Sequence, residues 1–272
     1  MRTHAVPPRL KRTVRPERVP TPRVDEVAKD PEGVWAFVRR SGTPLVGEAD
    51  DEGRRTVTFL WRGGDGLADV LLVANKIADA DSYGHCRMER VPGTDVWHLT
   101  YRMRGDWRSS YTVAPVPAGA AAGDPADLPE TLRVRRERAM AVSEPGDRPA
   151  VARWFAALAH TVPDPFSRER LDCAASVVSL PEAPKALGSH AAPARRRGRP
   201  AARPRPPVGG TYEWSLLDPG RRLRDALDER GGALGHPPFS VVLEEYHGGH
   251  DRACWRAGLP GALAFVTHDW ER

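Results

Sequence analysis

The sequence predicts an α+β protein in two parts: an immunoglobulin-like β-sandwich over residues 24–116, then a smaller α/β fragment over residues 211–272. Three observations carry this prediction. Short apolar-rich stretches separated by turn formers recur between residues 41 and 116, the spacing of a sandwich. After residue 210 the texture changes to helix, strand, helix. Between them, residues 185–210 include 21 that are Ala, Arg, Pro or Gly out of 26, a composition that cannot build a core.

Taken in order, residues 1–23 mix Pro with Arg without periodicity and read as a disordered basic tail. Residues 24–40, VDEVAKDPEGVWAFVRR, place Val24, Val27, Val34, Phe37 and Val38 at mostly helical spacing, interrupted at Pro31. They predict a short helix entering the first domain. Strands follow at 56–62 (TVTFLWR), 70–75 (VLLVAN), 96–102 (VWHLTYR) and 109–113 (SSYTV), rich in β-branched and aromatic residues. In the third of these, Trp97, Leu99 and Tyr101 share one face, and His98 and Thr100 the other. The separators at 48–54, 63–66, 92–95 and 104–106 are turn chemistry. Residues 117–184 read as a linker with a bridging helix at 150–159 (AVARWFAALA), stopped by Pro163 and Pro165, and a strand at 176–180. Residues 185–210 read as disordered. In the last part, 221–230 is helical with Leu223 and Leu227 at i, i+4, and Gly231–Gly232 is its stop. A strand follows at 239–246 (FSVVLEEY), then a Gly-rich turn, then a helix over 253–266 interrupted at Pro260.

The 272 residues carry a net charge of +5, but that figure conceals its distribution. Residues 1–23 hold +6 and residues 185–210 hold +7, so the rest of the chain holds −8. Neither basic stretch contains an aromatic residue, whereas a nucleic-acid surface pairs basic residues on a structured face with stacking aromatics. No nucleic-acid partner is expected. Apolar runs reach only a handful of residues, as at 70–74, so no membrane span is expected. The N-terminus shows no apolar core of a secretory signal. Cys86, Cys173 and Cys254 lie far apart without a CxxC pair, so neither a metal site nor a disulfide framework is indicated. The expectation is a cytoplasmic protein with free thiols and no cofactor.

The stretch that carries chemistry is Tyr246-His247-Gly248-Gly249-His250-Asp251, at the end of a buried-type strand. A His in a Gly-rich turn after a strand is where α/β-hydrolases place their general base, with the acid earlier in the chain and the Ser earlier still. His250 is the candidate base. Glu213, 37 residues earlier in GGTYEW, is the weaker candidate for the acid that orients it. His247 and Asp251 read as a turn partner and a helix cap.

At this point the chain resembles the enterochelin esterases. PGTDVWHLTYRMRGDWRSSY at 92–111, SGTPLVG at 41–47 and TVTFLWR resemble that family's N-terminal domain. DPF at 164–166 and SVVSLPEAP at 176–184 resemble its bridge, and EEYHGGHDRACWRAGL at 244–259 resembles the end of its α/β-hydrolase domain. The resemblance implies an immunoglobulin-like domain followed by an α/β-hydrolase. It implies hydrolysis of the ester bonds of ferric enterochelin, with His250 as base and Glu213 as acid.

The nucleophile that the resemblance requires, a Ser in a G-x-S-x-G elbow, does not occur in this sequence. Ser189 follows Gly188 but sits in the Arg/Pro-rich stretch, and Ser215 and Ser240 lack flanking glycines. The long segment implied between Pro184 and Gly210 is here 25 residues. The C-terminal part therefore reads as a remnant of a hydrolase domain, and catalysis as impaired. The alternative is a sandwich that binds a siderophore or partner without chemistry. The β-domain offers Arg102, Arg104 and Arg108 beside Tyr101, Trp107 and Tyr111, side chains suited to a catecholate trianion through charge and stacking. Arg108 is the first candidate contact and Trp107 the second, against the plainer expectation that Trp97 and Trp107 pack in the core.

Overall fold

The computed structural model describes residues 15–120, 128–171, 175–184, 207–210, 214–233, 243–249 and 251–266. The described residues fall into two compact units, a larger one within 16–183 with 251–253 and a smaller one of the described C-terminal residues that remain, with Arg15. The architecture mixes helix and sheet, as the sequence predicts.

The larger unit opens with β1 (Glu17–Arg18), α1 (Val24–Lys29) and α2 (Pro31–Ser41). Pro31 starts a helix here rather than interrupting one, which its fixed φ and missing N–H favour at the first helical position. Asp30 caps that helix by accepting from the Gly33 N–H at 2.9 Å. Gly42 ends it with φ 81°, a conformation that costs glycine little. The strands are β2 (Leu45–Ala49), β3 (Arg54–Arg62), β4 (Leu67–Ala74), β5 (Glu89–Arg90), β6 (Val96–Arg104), β7 (Arg108–Pro117), β8 (Glu169–Arg170) and β9 (Ser176–Ser179). A short helix α3 (Tyr83–Cys86) follows β4, and α4 (Glu130–Val142) and α5 (Arg148–Leu158) lie between β7 and β8.

These strands make two antiparallel sheets. One runs β1-β6-β3-β2, with β5 also on β6; the other runs β4-β7-β9-β8. Register fixes which side chains share a face. Val57, Phe59 and Trp61 pair with Tyr101, Leu99 and Trp97, and Phe59 meets Tyr111 of the second sheet edge-on at 5.2 Å. That is the inter-sheet core. The opposite face of the first sheet is also buried: Leu60 and Val96 pack with Trp35 and Val38 of α2 and with Val91. On the outer face of the second sheet, Leu71, Ala114 and Val116 pack with Val151, Trp154 and Phe155 of α5. Both sheets are thus covered on both sides, which explains the continuous apolar runs TVTFLWR and VLLVAN where a half-solvated strand would alternate.

The smaller unit holds β10 (Pro207–Gly210), α6 (Trp214–Ala233), β11 (Glu244–Tyr246) and most of α7 (Arg252–Val266). β10 and β11 pair in parallel, so α6 is the crossover that a parallel pair requires. Arg221 of α6 forks onto Glu245 of β11, with both nitrogen–oxygen distances at 2.6 Å.

Several sequence expectations need correction. Residues 17–18, assigned to the disordered tail, form β1 against β6. Residues 207–210, assigned to the disordered Arg/Pro-rich stretch, form β10. Gly231–Gly232 lie inside α6 rather than ending it. The core face of α2 is Trp35 and Val38, while Phe37 is 47% exposed. The helix α4 was not foreseen, because its run ETLRVRRERAMAV has almost no apolar face.

Candidate functional site

The two residues expected to carry chemistry, His250 and Glu213, lie outside the described residues, as does Cys173. What is described are residues on either side of them in the chain. β11 ends at Tyr246, whose hydroxyl donates to the Gly249 carbonyl at 3.4 Å, and Gly248 and Gly249 are buried. The Arg221 guanidinium beside Glu245 holds that carboxyl below the usual carboxylate range.

Asp251 heads α7. Its Oδ1 accepts from the Ala253 N–H at 2.7 Å, the cap expected from sequence. Its Oδ2 accepts from the Ser110 N–H at 3.0 Å and the Ser109 hydroxyl at 3.2 Å. Sequence reading missed this second role, since nothing local in either segment announces a contact between residues 142 positions apart.

The β-domain candidates are dispersed rather than gathered into one patch. Arg102 pairs with Asp50, its Nε 2.8 Å from Oδ2, and Arg102 holds Asp50 below its ordinary range. Arg104 pairs with Asp106 at 3.3 Å. Tyr101 is buried, stacks on His85 at 4.9 Å and donates to the His85 carbonyl at 2.7 Å. Trp107 is 1% exposed; among the described residues its indole N–H meets no acceptor. Arg108 is 7% exposed, and its Nε donates to Ser179 Oγ at 2.8 Å. Ser179 in turn donates to Glu169 at 3.0 Å, so the guanidinium is oriented from β9 and β8.

Tyr111, three residues on, turns inward. Its hydroxyl donates to Asp164 Oδ2 at 2.9 Å, and Thr43 donates to the same oxygen at 2.5 Å. The Phe166 N–H donates to Oδ1 at 2.9 Å. Burial, then the adjacent Asp164 carboxylate, push the Tyr111 phenol far up. It is a fixed donor, not an acid. The DPF motif at 164–166 is therefore a structural knot. Among the described residues no cluster of three metal-ligating side chains occurs, and no helix is long and apolar enough to cross a membrane.

A family model described as "Enterochelin esterase, N-terminal" matches residues 56–188. The chain is 44% identical over 93 residues to an iron(III) enterobactin esterase of Dickeya dadantii, covering 32% of this chain and 21% of that one. It is 34% identical over 89 residues to an iron(III) salmochelin esterase of Escherichia coli, covering 32% and 22%. An iron(III) enterobactin esterase of Yersinia enterocolitica is 32% identical over 108 residues, covering 38% and 30%. The matched part thus spans about a fifth to a third of those relatives' length. A crystal structure of the enterobactin esterase of Shigella flexneri in the presence of enterobactin aligns at 21% identity, with a TM-score of 0.39 over 58% of this chain and 37% of that chain.

Proposed function

We propose that this chain is a member of the enterochelin esterase family through that family's N-terminal domain, and an esterase-like protein of siderophore metabolism acting on a ferric catecholate siderophore in the cytoplasm. The observation that carries the reading is the match over residues 56–188, joined to 44% identity with an enterobactin esterase. We read the two facing sheets as the immunoglobulin-like sandwich of that family. The β10–α6–β11 unit with α7 is read as the last layer of an α/β-hydrolase; its parallel pairing and crossover helix support this.

In this reading His250 is the general base and Glu213 the acid that orients it. Ester hydrolysis also needs a nucleophile and an oxyanion site. The sequence has no G-x-S-x-G elbow. Losing the nucleophile of a triad costs several orders of magnitude in rate. The proposal is therefore an esterase relative with impaired catalysis that keeps siderophore recognition. Arg108 supplies positive charge to the trianionic ligand; Trp107, the second candidate contact, is 1% exposed and packs in the core instead, so it offers the ligand no aromatic surface.

The test is incubation with ferric enterochelin, with linear products followed by chromatography and binding by quenching of tryptophan fluorescence. The expected result is saturable binding that Arg108→Ala weakens about tenfold, the loss of one charge-assisted contact, with no linear product. Product that disappears in His250→Ala would overturn the impairment. Neither product nor binding would overturn the siderophore reading.

A further inference from the structure

Residues 16–21 form a strap along the edge of β6 that faces away from β3. β5 covers one part of that edge, opposite His98 and Trp97, and β1 another, with Glu17 and Arg18 opposite Arg102 and Tyr101. The Val19 N–H adds one bond, to the Thr100 carbonyl at 3.0 Å. Pro16 and Pro20 bring no N–H, so the backbone alone holds this segment weakly. Side chains supply the rest. Arg18 donates to the Gly84 carbonyl at 3.0 Å and to Glu89 at 2.6 Å. A histidine sits at each end: His85 Nε2–H donates to the Pro16 carbonyl at 2.9 Å, and His98 Nδ1 lies 2.7 Å from the Thr21 hydroxyl.

The two ends respond differently to a proton. A carbonyl only accepts, so His85 Nε2 carries a hydrogen whether or not that ring is charged, and its contact survives protonation. The His98 end does not. Three contacts join His98 Nδ1, Thr21, Thr100 and Thr58, at 2.7, 2.8 and 2.9 Å. Each hydroxyl brings one hydrogen. With Nδ1 bare, three hydrogens fill the three contacts, all directed toward the ring, which fixes the neutral imidazole with its hydrogen on Nε2. With a proton on Nδ1, four hydrogens face three contacts, and one is left over. Thr58 and Thr100 are 7% and 1% exposed and belong to the β3–β6 ladder. Thr21 is half-buried and outside it, so relief falls to Thr21, which turns toward water.

The charges around the ring act in the same direction. Burial lowers the His98 pKa from 6.5, Glu89 opposing and Arg18 assisting. Glu89 is the ladder partner of His98 and already holds Arg18, so a cationic His98 competes with the strap's own arginine for that carboxylate. Elsewhere on this face Arg62 is paired with Asp95 and Glu32, and Arg102 with Asp50 and Glu17. Asp25, Glu26 and Lys29 of α1 are exposed to water.

We propose that His98 and Thr21 form a proton-sensitive latch: proton uptake by His98 frees the Val19–Thr21 end of the strap and opens the edge of β6 at Thr100, while the Pro16 end stays tied to His85. This device is independent of the siderophore reading.

The experiment is amide exchange of the full chain by NMR at about pH 7.5 and 5.5, expressed as protection relative to intrinsic rates, with the His98 titration read from its ring resonances. The expected result is a loss of Val19 protection of about three- to tenfold at the lower pH, the range linkage allows for a ring that takes its proton near 6.5 once released. The Val113 N–H, held by the Val162 carbonyl at 2.9 Å, stays better protected than Val19 at both values. His98→Gln keeps an acceptor and cannot charge, so its Val19 protection is the same at both. Thr21→Val removes the hydroxyl, lowers Val19 protection at both values and, by the same linkage, raises the His98 pKa toward 6.5. If His98→Gln fails to fold, Thr21→Val carries the test. Constant Val19 protection in the unaltered chain overturns the latch. A pH-dependent loss that persists in His98→Gln assigns the proton to another group and overturns it too. Equal protection at Val19 and Val113 means the strap opens only with the whole unit, and an unmoved His98 pKa in Thr21→Val means the two are uncoupled; either result also overturns it.

Discussion

Replacing Asp164 by Ala removes the acceptor from the Thr43 hydroxyl, the Tyr111 hydroxyl and the Phe166 N–H at once. Asp164 is 1% exposed, so water cannot take its place without the site opening. An orphaned buried donor costs about 1–3 kcal/mol. The Thr43 hydroxyl can rotate toward another acceptor, whereas the Tyr111 ring is fixed against Phe59 and the Phe166 N–H is fixed by the backbone. Two fixed orphans and one adaptable one put the loss at about 3–5 kcal/mol, a large share of the stability of an ordinary domain. Tyr111→Phe is the calibrating variant. It keeps the ring contact and removes one donor from a carboxylate that retains two, so about 1.5–3 kcal/mol is expected. Urea unfolding followed by tryptophan fluorescence measures both, read as a shift in midpoint at constant slope. A loss below about 1 kcal/mol for Asp164→Ala, or a Tyr111→Phe loss equal to it, would refute the reasoning that this carboxylate is a three-donor knot.

Three further outcomes are expected. His98 is buried under Thr21, whose hydroxyl lies 2.7 Å from its Nδ1; burial lowers its pKa from 6.5, with Glu89 opposing and Arg18 assisting. The unfolded chain then takes up the proton first, so stability is full above about pH 6.5 and falls as pH drops toward the folded value. His98→Gln should flatten that part of a stability–pH profile, and an unchanged slope would rule out His98 as its source. Arg221→Ala should cost only about 0–1 kcal/mol despite its bidentate geometry, because Arg221 is 43% exposed; a loss above about 2 kcal/mol in the same unfolding assay would contradict this. In a gel-shift assay the chain should not retard duplex DNA at low or moderate salt, and a shift that fades as salt rises would reveal phosphate binding by the basic stretches.

The strands were legible because β-branched and aromatic runs bounded by Gly, Asp and Pro leave few alternatives, and β3, β4, β6, β7 and β9 lie within a few residues of their expected ends. What local pattern could not show was which faces are covered. Trp35 was absent from the helical spacing read for residues 24–40, yet it is fully buried, because its indole N–H finds Asp95 at 2.9 Å and its ring finds Phe166 at 5.7 Å. Both partners are distant in sequence. β1 failed for the same reason: two residues become a strand only when β6 offers its edge. The functional residues divide similarly. Asp251 was legible as a cap, since its cap partner is two residues away, and illegible as a partner of Ser109 and Ser110. Arg108 was legible as a charge beside aromatics, but not as a buried guanidinium oriented by Ser179.

The arrangement of β7 also explains why this strand tolerates no slip. Side chains alternate with a period of two, so a shift of one residue exchanges the faces of Arg108, Ser109, Ser110 and Tyr111. Tyr111 would lose both Phe59 and Asp164, and the Asp251 carboxylate would lose the hydroxyl that now faces it. β9 offers only Ser and Val to Arg108, Ser109, Ser110 and Tyr111, so pairing on that side selects the register weakly. The ladder to β4 and the side-chain connections of β7, which lie at consecutive positions on opposite faces, add to that selection. A strand held from both faces by partners from β9, the DPF knot and Asp251 has one register. Arg108, oriented by Ser179, and Asp251, which accepts from Ser109 and Ser110, thereby take their relation to β7 from one register.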